Sequence, residues 1–390
     1  MNRRSFVKAT GAGIALAAVG ASGKENTMSQ DSPATRGSTS RRERLLAALQ
    51  EHGAEAFIAH QRPNQLYLLD HVDASTVISR GNCHAIVFTA SETVVFPGVW
   101  ISNACRDLLP GCEVVPNELG DPPPEEQLAA RLRQMGLRKV ISDRLQPEAG
   151  STEVVVDDIA AGLRRCKDER DLAGMREAAR VADLGMRTAF AAIRPGVTCS
   201  EAVAAGTAAM LRAGAEDASM APASGVGTYY LDSGEDPRRV IREGDMVFID
   251  MIVHVHGYLG DMTRAGIVGK GTPQQRDLLD TVQRAYHLGV KSMVPGASAA
   301  AVYQSVVDLF TAKGWAKYYV HHLGHGLGLG GDRPWVGRGS KDVLQAGDAV
   351  SCEPGLYIPG LGGARVESMV YVSEKGPEVL TQCPLEPEMG

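Results

Sequence analysis

The sequence predicts an α+β fold in two parts, and three observations carry that prediction. Residues 41–165 alternate helical patterns with short apolar runs, as an α/β unit does. Residues 166–390 read twice as a helix pair followed by strands, the pattern of a duplicated curved antiparallel sheet. Acidic residues stand in otherwise apolar strands of two hairpins in that second part. The chain has 390 residues, 44% apolar and 22% charged, which excludes collagen-like, coiled-coil and wholly disordered architectures. Its net charge of -6 argues against nucleic acid or an anionic membrane as the main partner.

The elements follow in order. An amphipathic helix opens at Arg41, with Leu45, Leu46 and Leu49 at helical spacing. Residues 56–59, 85–88 and 93–96 are apolar runs bounded by turn formers, and each predicts a buried strand. A helix over 126–135 and a strand over 139–142 complete the unit. The second part opens with a long helix to about Ile193, with Leu172, Met175, Ala179, Ala182, Met186 and Ala189 near one face. Pro195-Gly196 stops it, and a second helix starts after Thr198. Strands over 246–268, helices over 273–293 and 298–314, and strands over 317–380 follow.

The N-terminus predicts an address. Arg3-Arg4, followed by a weakly apolar stretch from Gly11 to Gly20, reads as a twin-arginine export signal over residues 1–23. That stretch is too short and too rich in Gly and Ala to anchor the chain stably in a bilayer. Residues 24–40 read as a flexible polar leader, and the mature protein is expected in the periplasm without a membrane anchor. The seven cysteines include no CxxC pair, so no zinc ribbon or dithiol site is supported, and buried thiols are expected.

The chemistry gathers in a few acids. Residues 246–264 read as a hairpin; a turn centred on Val255-His256 would place Asp250 directly opposite Asp261. Two carboxylates that close stay ionised only around a cation. Glu353 and Glu367 flank a second hairpin, turned at 359–363, and His325 lies in the glycine-rich run 323–331. That run lacks the Lys-Ser/Thr of a phosphate loop, so its glycines should admit close backbone approach. Four carboxylates and an imidazole suit manganese, cobalt or iron better than a thiolate-seeking ion.

Asp250, Asp261 in Asp-Met-Thr-Arg, His325 in Gly-His-Gly, Glu353 in Glu-Pro-Gly and Glu367 in Arg-Val-Glu resemble the ligand set of the creatinase/methionine aminopeptidase superfamily. The resemblance is nearest to its proline peptidases and covers most of the chain beyond the leader. It implies a pita-bread fold for residues 166–390, behind a creatinase-like α/β domain over 41–165. It also implies two divalent ions (manganese first, or cobalt, iron or zinc) and a homodimer. By resemblance Asp261 and Glu367 bridge the ions, Asp250 holds one, and His325 and Glu353 hold the other. A metal-bridging hydroxide would attack the amide, and Glu353 would carry the proton to the leaving nitrogen. His321 matches a substrate-contacting, catalytic histidine of these peptidases. Arg365 reads either as a substrate-binding or ligand-orienting group or as an ordinary ion-pair partner.

Two histidines of the peptidase pattern are absent: Ser233 and Asp332 stand in their places. His254, His256 or His322 could substitute for them. The reading is therefore a dinuclear metallohydrolase cleaving a proline-containing peptide or peptide-like amide. The alternatives are a relative acting on a small non-peptide C–N or C–S substrate and a non-catalytic binding protein.

Overall fold

A computed structural model describes residues 39–70, 74–78, 83–145, 150–230, 236 and 238–390. The expected export signal, nearly all of the leader, and Ser233 lie outside the described residues. No helix among the described residues is long and apolar enough to cross a membrane.

The N-terminal part comprises α1 (Arg41–Glu51), β1 (Ala56–Ala59), α2 (Arg62–Leu69), α3 (Ala74–Ile78), β2 (Cys83–Thr89) and β3 (Thr93–Pro97). It continues with α4 (Ser102–Leu108), β4 (Glu113–Val114), α5 (Pro124–Met135), β5 (Lys139–Ser142), β6 (Glu153–Val156) and α6 (Ile159–Arg165). Its strands form one mixed sheet in the order β4-β3-β2-β1-β5-β6. Ser40 and Glu43 close a capping box that fixes where α1 begins. Phe57, Ile58, Ile86 and Phe88 on the central strands are buried, as their unbroken apolar runs require.

The C-terminal part carries α7 (Glu169–Ala191), α8 (Cys199–Arg212), β7 (Asp217–Ser224), β8 (Met246–Val255) and β9 (Tyr258–Ile267). After these come α9 (Pro273–Ser292), α10 (Ala299–Ala312), β10 (Gly324–Gly326) and β11 (Asp332–Val336). The chain ends with β12 (Ala349–Cys352), β13 (Gly355–Ile358), β14 (Gly362–Arg365), β15 (Ser368–Ser373) and β16 (Gly376–Val379). Hydrogen bonding divides these strands into β7-β8-β9, β11-β10-β12-β15-β16 and β13-β14. All six α7 residues expected on its apolar face are buried. Strand β7 carries almost no β-forming signal, since its sequence DASMAPAS includes Pro222. It survives because it is an edge strand, paired only with β8.

The duplication expected from the element pattern is visible in backbone detail. Pro195-Gly196 and Pro295-Gly296 lie in the loops after α7 and α9, both glycines having positive φ. Gly196 N–H donates to Ile241 O (2.9 Å) and Gly296 N–H to Leu344 O (2.8 Å). Thr198 and Ser298, the N-caps of α8 and α10, each make an isolated bridge, to Val240 and Val343. Asp245 then accepts from Arg242 N–H and Asp348 from Gln345 N–H, both at 2.8 Å. Asp250 follows the first of these aspartates, and Glu353 the second, by the same five residues. Two of the expected ligands thus come from equivalent points of the two halves.

The register corrects one expectation. Val255 pairs with Tyr258, so the turn is centred on His256-Gly257, both at positive φ. Asp250 consequently stands opposite Thr263, and Asp261 opposite Ile252. The two aspartates share a face but lie on a diagonal. The glycine, which accepts positive φ most readily, decides the centre of this turn.

A buried ionic network ties α1 to α7. Arg41 approaches Asp168 at 3.0 Å and Asp171 at 2.8 Å, and the Tyr258 hydroxyl donates to Asp171 (2.9 Å). Arg41→Ala leaves Asp171 buried without its cation, so a loss of about 3–5 kcal/mol is expected. Thermal and urea denaturation check this, and Arg41→Lys should recover only part of the loss because it cannot fork between two carboxylates.

Candidate metal centre

The site forms where the strands change partners. The ladder β12–β15 ends at Cys352 opposite Ser368, and β13–β14 begins at Gly355 opposite Arg365. At the break, Glu353 N–H donates to Leu323 O (2.8 Å) and Glu367 N–H to Thr263 O (2.9 Å). Both glutamates are thereby stitched to neighbouring strands, and both are buried. The glycines of the 323–331 run act as expected: a Cβ on Gly324 would collide with the Ser351 carbonyl, and one on Gly326 with the backbone of Asp332 and Arg333.

Asp261, His325 and Glu367 each bring one ligand atom into a group whose members lie within 4.8 Å of one another. Nε2 of His325 stands 3.5 Å from Asp261 Oδ2 and 3.7 Å from Glu353 Oε1. The Ser351 hydroxyl donates to Glu353 Oε1 (2.9 Å) and accepts from His325 N–H (3.1 Å), which fixes these two residues relative to each other. Asp250 joins through Thr263, whose hydroxyl lies 2.7 Å from Asp250 Oδ1 and 2.8 Å from Glu367 Oε2.

Arg365 stands against Asp250. Its Nη2 pairs with Asp250 at 2.8 Å, Nε donates to Thr263 Oγ1 (3.1 Å), and Nη1 donates to the Tyr357 hydroxyl (3.2 Å). His321 stands one step further out. Nδ1 of His321 lies 2.7 Å from the His322 carbonyl, which can only accept, so Nδ1 carries the proton and Nε2 accepts from the Tyr357 hydroxyl (3.0 Å). Burial, helped by the charge of Arg365, pushes His321 down to about 3, so the ring is neutral.

Behind the ligands lies Arg264, which is fully buried. It donates to the carbonyls of Thr263 (2.9 Å), Cys383 (2.8 Å) and Glu367. It thus pins the backbone of one expected ligand to the C-terminal tail.

Asp332 is not in the site. Its carboxylate is buried between Arg164 (2.9 Å) and Lys167 (2.8 Å), joining α6 to β11. In the β10–β11 pairing Trp335 lies opposite His325, and Asp332 lies opposite the next residue, Gly326, so it takes the other face. Counting seven positions from His325 therefore points away from the site.

The residues present fit a divalent metal. Four carboxylates meet one guanidinium and one imidazole, so neutrality requires bound cations or protons. Burial pushes Asp261 up to about 7, despite the opposing charge of His325. Burial also raises Glu353, and burial with the charges of Asp261 and Glu353 holds Glu367 well above the usual carboxylate range. Burial would lower His325, but Asp261 and Glu353 outweigh it and raise the imidazole. Thr263, Tyr357 and Ser351 complete the wiring. None of them carried a signal of its own, although Thr263 sits inside the Asp-Met-Thr-Arg motif.

An all-carboxylate-and-imidazole centre at the seam of a duplicated pita-bread sheet defines a metallohydrolase class. The description "Metallopeptidase family M24" matches residues 173–374, and the chain belongs to that family. It is 33% identical over 252 residues to the uncharacterized peptidase YqhT of Bacillus subtilis, covering 63% of this chain and 69% of the relative. It is 30% identical over 233 residues to the Xaa-Pro dipeptidase of Pyrococcus furiosus, covering 59% and 67%. Among solved structures, the Xaa-Pro dipeptidase from Bacillus anthracis superposes with a TM-score of 0.78 at 26% identity, over 90% of this chain and 99% of that one.

Carboxyls that hold protons more tightly folded than unfolded destabilise the fold as those protons leave. The metal-free protein should therefore lose stability as pH rises from the ordinary carboxyl range near 4, through about 7 for Asp261. Denaturant melts across that range check the slope. It should flatten in Glu367→Gln and when manganese is added.

Proposed function

We propose that this protein is a dinuclear metal-dependent peptidase that releases the first residue from short Xaa-Pro peptides. The convergence of Asp261, His325 and Glu367 beside Glu353 carries the reading. The names borne by the Pyrococcus furiosus and Bacillus anthracis proteins support its substrate. Asp250, Asp261, His325, Glu353 and Glu367 are the proposed ligands, and manganese suits their oxygen-rich chemistry. Two such ions, when bound, would polarise the scissile carbonyl and make a water nucleophilic near neutral pH.

The residues of the chain do the rest. Glu353, whose proton affinity burial raises, takes a proton from the attacking water and returns it to the leaving nitrogen. Ser351 donates to its Oε1 and so fixes the carboxylate beside His325. Arg365 keeps Asp250 aimed and, through Tyr357, sets the neutral His321 at the edge of the site as the proposed substrate contact. A twin-arginine signal, export to the periplasm and a homodimer belong to the same proposal, resting on Arg3-Arg4 and on the family resemblance.

One observation favours a second reading. Asp332 is turned into an ion pair with Arg164 and Lys167, so position 332 offers no imidazole to a peptide. A small amide or amidine needs fewer such contacts.

Assay of a dipeptide panel with manganese-loaded protein separates the two. Xaa-Pro dipeptides should be cleaved, and Glu353→Gln should lower kcat by about 10²–10⁴-fold. Turnover of small amides with none of the dipeptides would replace the peptidase reading.

A further inference from the structure

Residues directly opposite in an antiparallel pair share a face, so Trp335 presents its indole on the same side of the sheet as His325. Between them lies His322, whose ring is 4.1 Å from that of Trp335 and 5.6 Å from that of His325. His322 Nδ1 reaches within 3.3 Å of Glu353 Oε1. The other two histidines that could have substituted for the absent pair are engaged elsewhere. His254 pairs with Asp217 at 2.7 Å on the far end of the hairpin, and His256 forms its turn. The aromatic pair is therefore the feature that stands beside the ligands on the β11 side.

The position of the indole is built rather than incidental. A Cβ on Gly337 would come within 2.5 Å of Trp335 Nε1, so only glycine leaves room for the ring. Asp342 accepts from Trp335 N–H (2.8 Å) and anchors the strand beneath it. Trp335 stands opposite His325 in the same register that pairs Gly324 with Val336, and the slip beyond it sets Asp332 opposite Gly326. About a third of this large apolar side chain nevertheless stays open to solvent (36%). A flat apolar face kept exposed beside a polar, buried charge cluster has a use once a substrate covers it.

We propose that Trp335, seated on Gly337 and backed by His322, is a specificity wall that receives an apolar side chain or ring of the substrate. This rests on the hydrolase reading and adds a preference to it: peptides with an apolar residue beside the scissile bond over their glycine counterparts.

Binding of two chelating amino-acid analogues to the manganese-loaded full chain tests the wall without requiring turnover. L-leucine hydroxamate should bind about tenfold more tightly than glycine hydroxamate, the worth of partly burying an isobutyl group. Trp335→Ala should remove most of that ratio. Gly337→Ala should do the same with the indole still present but displaced, and Trp335→Phe should keep most of it. Manganese affinity, read by calorimetry, should match the unaltered protein in all three variants. An unchanged ratio in Trp335→Ala would overturn the proposal. So would a fall in manganese affinity that weakens both hydroxamates alike, because the residue would then serve the fold alone. A retained ratio in protein that cleaves no Xaa-Pro dipeptide would uphold the wall and reject the peptide reading. Cleavage with equal binding of the two analogues would do the reverse.

Discussion

The rest of the structure depends on a charge imbalance. Asp250, Asp261, Glu353 and Glu367 are drawn together with His325 and Arg365 as their positive neighbours, and three of the four carboxylates are buried. Such an arrangement is costly unless cations or protons complete it. The raised proton affinities of Asp261, Glu353 and Glu367 are the metal-free answer to that cost. A hydroxyl shared by two carboxylates makes the same point. Thr263 has one proton and two acidic neighbours, so a proton on Glu367 completes the set.

Holding the carboxylates there requires rigid backbone rather than loops. Duplication supplies it: Asp245 and Asp348 fix equivalent turns, and Asp250 and Glu353 follow them in phase. Asp261 and Glu367 then arrive from the return strands of the two halves, with the Glu367 backbone pinned by Arg264. The seam where β12–β15 gives way to β13–β14 frees Glu353 and Glu367 from their own ladder, so each can bond to a neighbouring strand. Arg264 also binds the carbonyls of Cys383 and Pro384, which makes the C-terminal tail part of this support.

Much of this was legible in the sequence, for identifiable reasons. The α7 face, the central strands and the second hairpin follow from periodicity, and acids in apolar strands are conspicuous because their burial is expensive. What escaped was set by tertiary context. Strand β7 has no propensity signal and exists through its pairing with β8. The β8–β9 turn is displaced by one residue from its expected centre, since Gly257 tolerates a conformation that Val255 does not. Trp335 rather than Asp332 faces His325, and Asp332 pairs with Gly326 across a slip in the strand pairing, which no count along the chain detects. Ser351, Tyr357 and Thr263 are ordinary residues whose importance lies only in what they touch.

The most direct measurement is the number of ions the folded chain retains. Protein freed of metal, reloaded with manganese, dialysed and analysed by atomic emission should keep about two ions per chain. Replacing Asp261 with Asn should leave fewer. Folded protein that retains no manganese after loading would contradict the account, because the buried acids would then have to be balanced by protons alone.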